Sequence, residues 1–205
     1  MRKLFAVISM SLFAIGSLHA QTYQVFKGDT INRRDASGKQ QGVWRKYYKN
    51  DTLASEMFYR SGKHEKTFRT YSEKGKLLTE VSYRPGYMEI GDAKLFYEDG
   101  TVKAKGKYIN KQKDSTWTYF DEQGKLSSTE FYMKGKQEGI SKVYYPDGKV
   151  AEETIYKNSK KNGPHKQYYP DGNPKVISSN KNEFILSNGK NSIVYNKETG
   201  KIEQT

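Results

Sequence analysis

The sequence predicts an all-β protein: an elongated single-layer antiparallel meander of repeated β-hairpins following an N-terminal signal helix. Three observations predict it. A unit of 24 residues recurs, with one spacing of 25. Within each unit apolar and polar residues alternate with period two, the pattern of a half-buried strand. Each alternating run ends at a turn rich in Gly, Asp and Pro. After residue 20 no stretch shows a sustained helical period.

Residues 1–20 read as a secretory signal. Arg2 and Lys3 precede the apolar run Leu4 to Ile15, and Ser17-Leu18-His19-Ala20 offers a cleavage point after Ala20. As a helix that run spans about 18 Å, short of a hydrocarbon core of roughly 30 Å. The expected localisation is export, to the periplasm or beyond the cell. There is no cysteine, so a lipid-anchored lipoprotein is excluded, and an oxidising compartment would add no disulfides. Loss of Arg2 and Lys3 would lower the net charge from +13 to +11.

Residues 21–41 form a lead-in cap with Tyr23, Val25 and Phe26. Residues 42–175 hold the repeats. Tyr47, Tyr71, Phe96, Phe120, Tyr144 and Tyr168 open each turn in register. Gly75, Gly100, Gly124, Gly148 and Gly172 close it, with Asp51 in that place in the first unit. Leu53, Leu77, Val102, Leu126 and Val150 start the second strand, and Tyr59, Tyr83, Tyr108, Tyr132 and Tyr156 lie six residues on. Second turns carry Gly62, Gly86 and Gly135. Positions such as Leu53, Ser55, Met57 and Tyr59 share one face if alternation is unbroken. Twelve to fourteen strands at roughly 4.8 Å would give a sheet near 60 Å long. Residues 176–205, with Phe184-Ile185-Leu186 and Ile193-Val194-Tyr195, form a C-terminal pair of capping strands. From residue 21 onward there are 9 Ile, 6 Leu and 8 Val against 17 Tyr, 7 Phe and 2 Trp. This excludes a Leu/Ile/Val globule and a multi-pass membrane protein, and leaves aromatic rings to supply the core.

Gly42-x-Trp44-x-x-Tyr47-Tyr48 and Tyr144-Tyr145-Pro146-Asp147-Gly148-Lys149-Val150 resemble the bacterial variant of the MORN repeat. The lead-in from Asp29 to Gly42 resembles exported members of that group. The resemblance covers roughly residues 29–175. It implies a protein–protein or acidic-lipid binding role, and the YwqK-like antitoxin label given to such chains implies neutralisation of a toxin by binding.

The search for chemistry points away from an enzyme. Gly-Lys occurs nine times, but no such Lys is followed by Ser or Thr, as a phosphate loop requires. His64, in a turn, and His165, at the repeat position of Trp44 and Trp117, are too few for a metal site or a nucleophilic triad. Glu56, Glu80 and Glu153 recur at one repeat position, with Glu130 one place later. They read as cross-strand partners of Lys. No catalytic, metal or cofactor residue is assigned. Trp44 and the strand-end tyrosines are assigned to the core. By alternation the second Tyr of each pair faces the other way, so Tyr48, Tyr145 and Tyr169, with Lys103, Lys105 and Lys107, form the candidate binding surface. The expectation is an exported, non-enzymatic interaction module with a protein partner. Acidic envelope lipids or anionic glycans are the alternative, suggested by the charge. Nucleic acid is set aside because the chain is read as exported.

Overall fold

The computed structural model describes residues 21–84, 87–178, 183–187, 191–196 and 202–204. The signal reading and the Gly86 turn lie outside them. Eighteen strands are found there and no helix. They are β1 (Thr22–Phe26), β2 (Asp29–Arg34), β3 (Gln40–Tyr47), β4 (Leu53–Arg60), β5 (Lys63–Tyr71), β6 (Leu77–Arg84), β7 (Tyr87–Phe96), β8 (Val102–Ile109) and β9 (Gln112–Phe120). Then follow β10 (Leu126–Met133), β11 (Lys136–Gln137), β12 (Gly139–Tyr144), β13 (Val150–Lys157), β14 (Lys160–Tyr168), β15 (Pro174–Ser178), β16 (Glu183–Ser187), β17 (Ser192–Asn196) and β18 (Ile202–Gln204). Neighbours along the chain pair antiparallel, so the sheet is one continuous meander. β10 pairs with both β11 and β12, which are one strand interrupted at Glu138. The strand number exceeds the twelve to fourteen expected from the repeat. β1–β2 and β16–β18 prolong the same ladder, edge to edge.

Among the described turns from β3 to β15 there are two kinds, and because strand direction alternates they occupy opposite rims. In the longer kind, Gly75 N donates to Ser72 O at 2.9 Å and Ser72 N donates to Lys76 O at 2.8 Å. Gly100, Gly124, Gly148 and Gly172 repeat this, and Asp51 takes the same left-handed conformation at φ 61°. The shorter kind has two residues at positive φ: Ser61-Gly62, Asn110-Lys111, Lys134-Gly135 and Asn158-Ser159. These are the type I′ turns that match strand twist.

The register corrects one expectation. Tyr47 pairs with Leu53, but Lys46 pairs with Ser55, so Ala54 is an unpaired bulge. Leu78, Lys103, Ser127, Ala151 and Lys175 are bulged in the same way. Alternation is thus broken between each leading aliphatic and the residue two places on. Leu53 sits opposite Tyr47, out of step with Ser55, Met57 and Tyr59. A further recurrent irregularity places Gly42, Lys66, Ser115, Gly139 and Gly163 at positive φ.

The core lies on one face of β5 to β10. Val81, Ala93, Ala104 and Trp117 are buried, with Phe68, Tyr83, Leu95, Tyr108, Tyr119 and Tyr132 packed around them. Trp117 is 0% exposed although there is no second layer among the described residues. Gly106 makes this possible. Its Cα lies beneath the indole, where a Cβ would meet Trp117 Cδ2 at 2.2 Å.

Candidate functional site

On the face opposite Trp117, one row of side chains crosses the sheet through directly paired positions. It runs Arg45, Glu56, Arg69, Glu80, Lys94, Lys105, Thr118, Thr129, Lys142, Glu153 and Lys166. Arg45 Nε donates to Glu56 at 2.7 Å, Arg69 Nε to Glu80 at 2.9 Å, and Lys142 Nζ meets Glu153 at 3.1 Å. Hydrogen bonding by Glu56 and Glu80 raises both guanidinium pKa values. Burial acts against ionisation of Glu153, but bonds from Lys142 and Tyr168 prevail and hold its carboxyl below the usual value. Glu56, Glu80 and Glu153 are therefore cross-strand charge partners, but the expected lysine is the ion-pair partner only at Glu153, while Glu56 and Glu80 bind arginines. Alternation of sign fails at Lys94 and Lys105, which face each other. A depression of about 360 Å³ opens there, lined by Glu80, Ser82, Asp92, Lys94 and Lys105 among others.

Glu130 is different. It pairs with Trp117 and so lies on the core face. It accepts the Tyr132 hydroxyl at 2.8 Å. Beside it Lys113 Nζ sits 4.4 Å from the Trp117 ring, 4.9 Å from that of Tyr132 and 5.2 Å from that of Tyr119, and donates to the Tyr119 hydroxyl at 2.6 Å. Burial lowers the Lys113 pKa, and Glu130 opposes that. Burial, reinforced by Glu130, raises the Tyr119 pKa. The cluster is an internal aromatic cage filled by the chain's own lysine, and sequence spacing gave no sign of it.

The predicted surface residues do not form one site. Tyr48 and Tyr145 are half-buried, and their hydroxyls donate to the carbonyls of Tyr71 and Tyr168, both at 2.7 Å. Tyr97 does the same to Phe120 O at 2.9 Å. These tyrosines link one repeat to the next. Tyr169 is half-buried with Lys175 Nζ over its ring at 5.7 Å. Lys103 and Lys105 are exposed and lie over the Tyr97 and Phe120 rings, while Lys107 pairs in register with Asp92 and Asp114. His64 is not in a turn: it is the second residue of β5, its ring between Tyr59 at 4.8 Å and Tyr83 at 5.7 Å. His165 bonds Thr154 Oγ1 at 2.8 Å. No group of three or more potential metal ligands occurs among the described residues.

Residues the sequence did not single out form an apolar patch on the charged face. Phe131 is 38% exposed, Met133 54% and Ile140 51%. Phe131 and Met133 alternate away from Glu130 and Tyr132 on β10, and Ile140 pairs with Ile155 beyond them on β12. Three large apolar side chains are thus exposed together on adjacent strands of that face.

Fold and surfaces define a β-hairpin repeat protein. It carries four copies of the MORN repeat variant, at residues 40–61, 89–110, 137–158 and 161–182. No curated protein matches the chain. Among solved structures it is similar to TarM, at 17% identity over 48% of this chain and 19% of that one, with a TM-score of 0.35. A mutant TarM from S. aureus, in complex with fondaparinux, alpha-GlcNAc-glycerol and UDP, overlaps at 18% identity over 47% and 19%, also with a TM-score of 0.35. A GtfA/B complex bound to UDP and GlcNAc overlaps at 15% identity over 69% and 22%, with a TM-score of 0.19. The chain spans about a fifth of the length of each, and overlap this loose carries no argument.

Proposed function

We propose that this chain is an exported, non-enzymatic interaction module whose partner is a protein, held on the charged face of the sheet. The patch of Phe131, Met133 and Ile140 carries this reading. Interfaces derive most of their affinity from a few large side chains that become fully desolvated on binding. A ring of charges around such side chains sets specificity and encounter rate. Here the charged row supplies that ring through Lys142 and Glu153 on the neighbouring strands. Neutralisation of a toxin-like partner is the finer form of the proposal, drawn from the repeat family.

The test is co-purification from an envelope fraction with the full chain and with a Phe131→Ser, Ile140→Ser variant, at low and moderate salt. A partner retained by the parent at both salts and lost by the variant supports the reading. Equal capture by the two chains, or no reproducible protein, counts against it. Suppression of the captured protein's toxicity by the parent chain alone would establish the finer form.

A further inference from the structure

The meander sorts the lysines in a way the sequence conceals. The described type I′ turns from β4 to β14 all lie on one rim. On it Lys111, Lys134, Lys136, Lys157 and Lys160 project from three successive described turns, all exposed. Arg60 and Lys63 flank an earlier turn on the same rim. The carboxylates nearest these turns are directed into the framework. Asp114 Oδ2 accepts from Lys134 N at 3.1 Å, and Glu138 Oε1 accepts from Asn158 N at 2.8 Å. Arg60 pairs with Glu65 at 3.1 Å, and Asp35 is taken up by Ser37 and Gln41. Among the described residues none of the five lysines has a carboxylate within ion-pair distance. The opposite rim carries the acids Glu98, Asp99, Asp121, Glu122, Asp147 and Asp171 amid its lysines.

We propose that the rim of type I′ turns is a binding track for a flexible linear polyanion. Successive turns on one rim are two strands apart, so cationic groups recur about every 9.6 Å along a line. Adjacent strands rotate by about 20–25°, so that line turns by about 40–50° per repeat and about 160–200° from the β4–β5 turn to the β13–β14 turn. A flat bilayer can meet only a short arc of such a line, whereas a flexible chain can follow it. Between Lys111 and Lys160 the turns carry lysine and no arginine. Lysine acts as a mobile point charge, so recognition is through charge density more than bidentate geometry. This is independent of the apolar patch and of the protein partner proposed above.

The test measures binding of the full chain to polyphosphate and to polygalacturonate, each in fractions of graded length, and to phosphatidylglycerol vesicles, at low and moderate salt. Affinity should rise with polymer length and fall with salt. The preferred polymer shows whether phosphate or carboxylate is the better fit. The variant Lys111→Gln, Lys134→Gln, Lys136→Gln, Lys157→Gln should lose at least about tenfold in affinity. The control Lys49→Gln, Lys74→Gln, Lys76→Gln, Lys125→Gln removes the same charge from the other rim and should change affinity by less than about threefold. Unchanged thermal transitions would show both variants folded. Equal loss in both variants would assign binding to net charge and overturn the track. So would binding independent of polymer length, binding only to phosphatidylglycerol vesicles, or no binding at low salt.

Discussion

Replacing Gly106 by Ala tests how a single-layer sheet buries a tryptophan. The added Cβ would lie 2.2 Å from Trp117 Cδ2 and 2.3 Å from Cε2. Carbon atoms rest at about 3.5–4.0 Å, so the ring would have to retreat by more than about 1 Å. Its surroundings resist that. Tyr108 stands edge-on at 5.1 Å, Lys113 Nζ covers the ring at 4.4 Å, and Trp117 Nε1 donates to Lys107 O at 3.2 Å. Overpacking costs about 1–3 kcal/mol, and loss of the indole hydrogen bond about 1 kcal/mol more. Against this, Ala is better than Gly in a strand by roughly 0.5–1 kcal/mol. A net loss of about 1–3.5 kcal/mol should lower the Tm by about 2–14 °C for a chain of this size. The assay is thermal and urea unfolding followed by far-UV circular dichroism and tryptophan fluorescence. In a Trp117→Phe background, where the ring is smaller, the same substitution should cost much less. A neutral or stabilising Gly106→Ala in the parent chain would refute the packing account, because propensity alone predicts that outcome.

Three further substitutions test other parts of the array. Ser115 sits at φ 61°, at a repeat position where Gly42, Gly139 and Gly163 also have positive φ. Ser115→Gly should therefore raise stability by about 1 kcal/mol, read from the urea midpoint, and a lower midpoint would contradict it. Lys105 faces Lys94 across β7 and β8, so Lys105→Glu should restore the alternation of charge and add about 0.2–1 kcal/mol, with the gain shrinking in high salt. Burial of His64, then the charge of Lys111, lowers its pKa, and its Nδ1 is buried without a partner. The depressed folded-state pKa leaves stability intact above the unfolded value near 6.5, and stability is lost as pH falls from there toward the folded value. His64→Phe should raise the Tm at neutral pH and remove that acid-side loss, as thermal scans between pH 7 and pH 5 would record.

Much of the framework is legible because the repeat registers chemistry that acts locally. Gly75 and Gly100 stand where a turn needs positive φ, and the sequence placed Asp51 as their substitute correctly. Glu56 and Glu80 fall where an antiparallel neighbour presents Arg45 and Arg69. The bulges at Ala54 and its equivalents are not legible, because counting alternate positions assumes that every residue is paired. The nearby Gly62 suggests a turn at His64, yet the type I′ turn needs only two residues and β5 begins at Lys63. Trp44 and Trp117 share a repeat position but differ in burial. Trp117 lies over Gly106, while Trp44 adjoins β2, whose in-register pairing with β3 stops at Arg33 and gives way to side-chain bonds from Asn32 and Asp29 to Arg45. The rim of lysines appears only when the direction of each strand is known. The six hairpins from β3 to β15 include two outside the four matched repeats. Those two, β5–β6 and β9–β10, carry Lys66 and Ser115 where the matched units carry Gly42, Gly91, Gly139 and Gly163.

The tyrosine rungs decide whether Tyr145 is framework or binding surface. A linear array is as strong as its weakest neighbour contact, since each repeat touches only the next. Tyr145 donates its hydroxyl to Tyr168 O, on the hairpin that follows. Tyr145→Phe keeps the ring and removes that one bond, at a cost of about 1 kcal/mol. In a globule such a loss would lower global stability alone. In this array it should fall on the coupling between β13 and the β14–β15 hairpin, so hydrogen exchange should accelerate in β14 and β15 while β5 to β9 stay protected. Tyr48→Phe, which removes the equivalent bond to Tyr71 O, should loosen β3 and β4 at the other end. Exchange that changes uniformly along the chain, or not at all, in both variants would mean the hydroxyls contribute nothing to coupling, and would return Tyr48 and Tyr145 to the list of residues free to bind a partner.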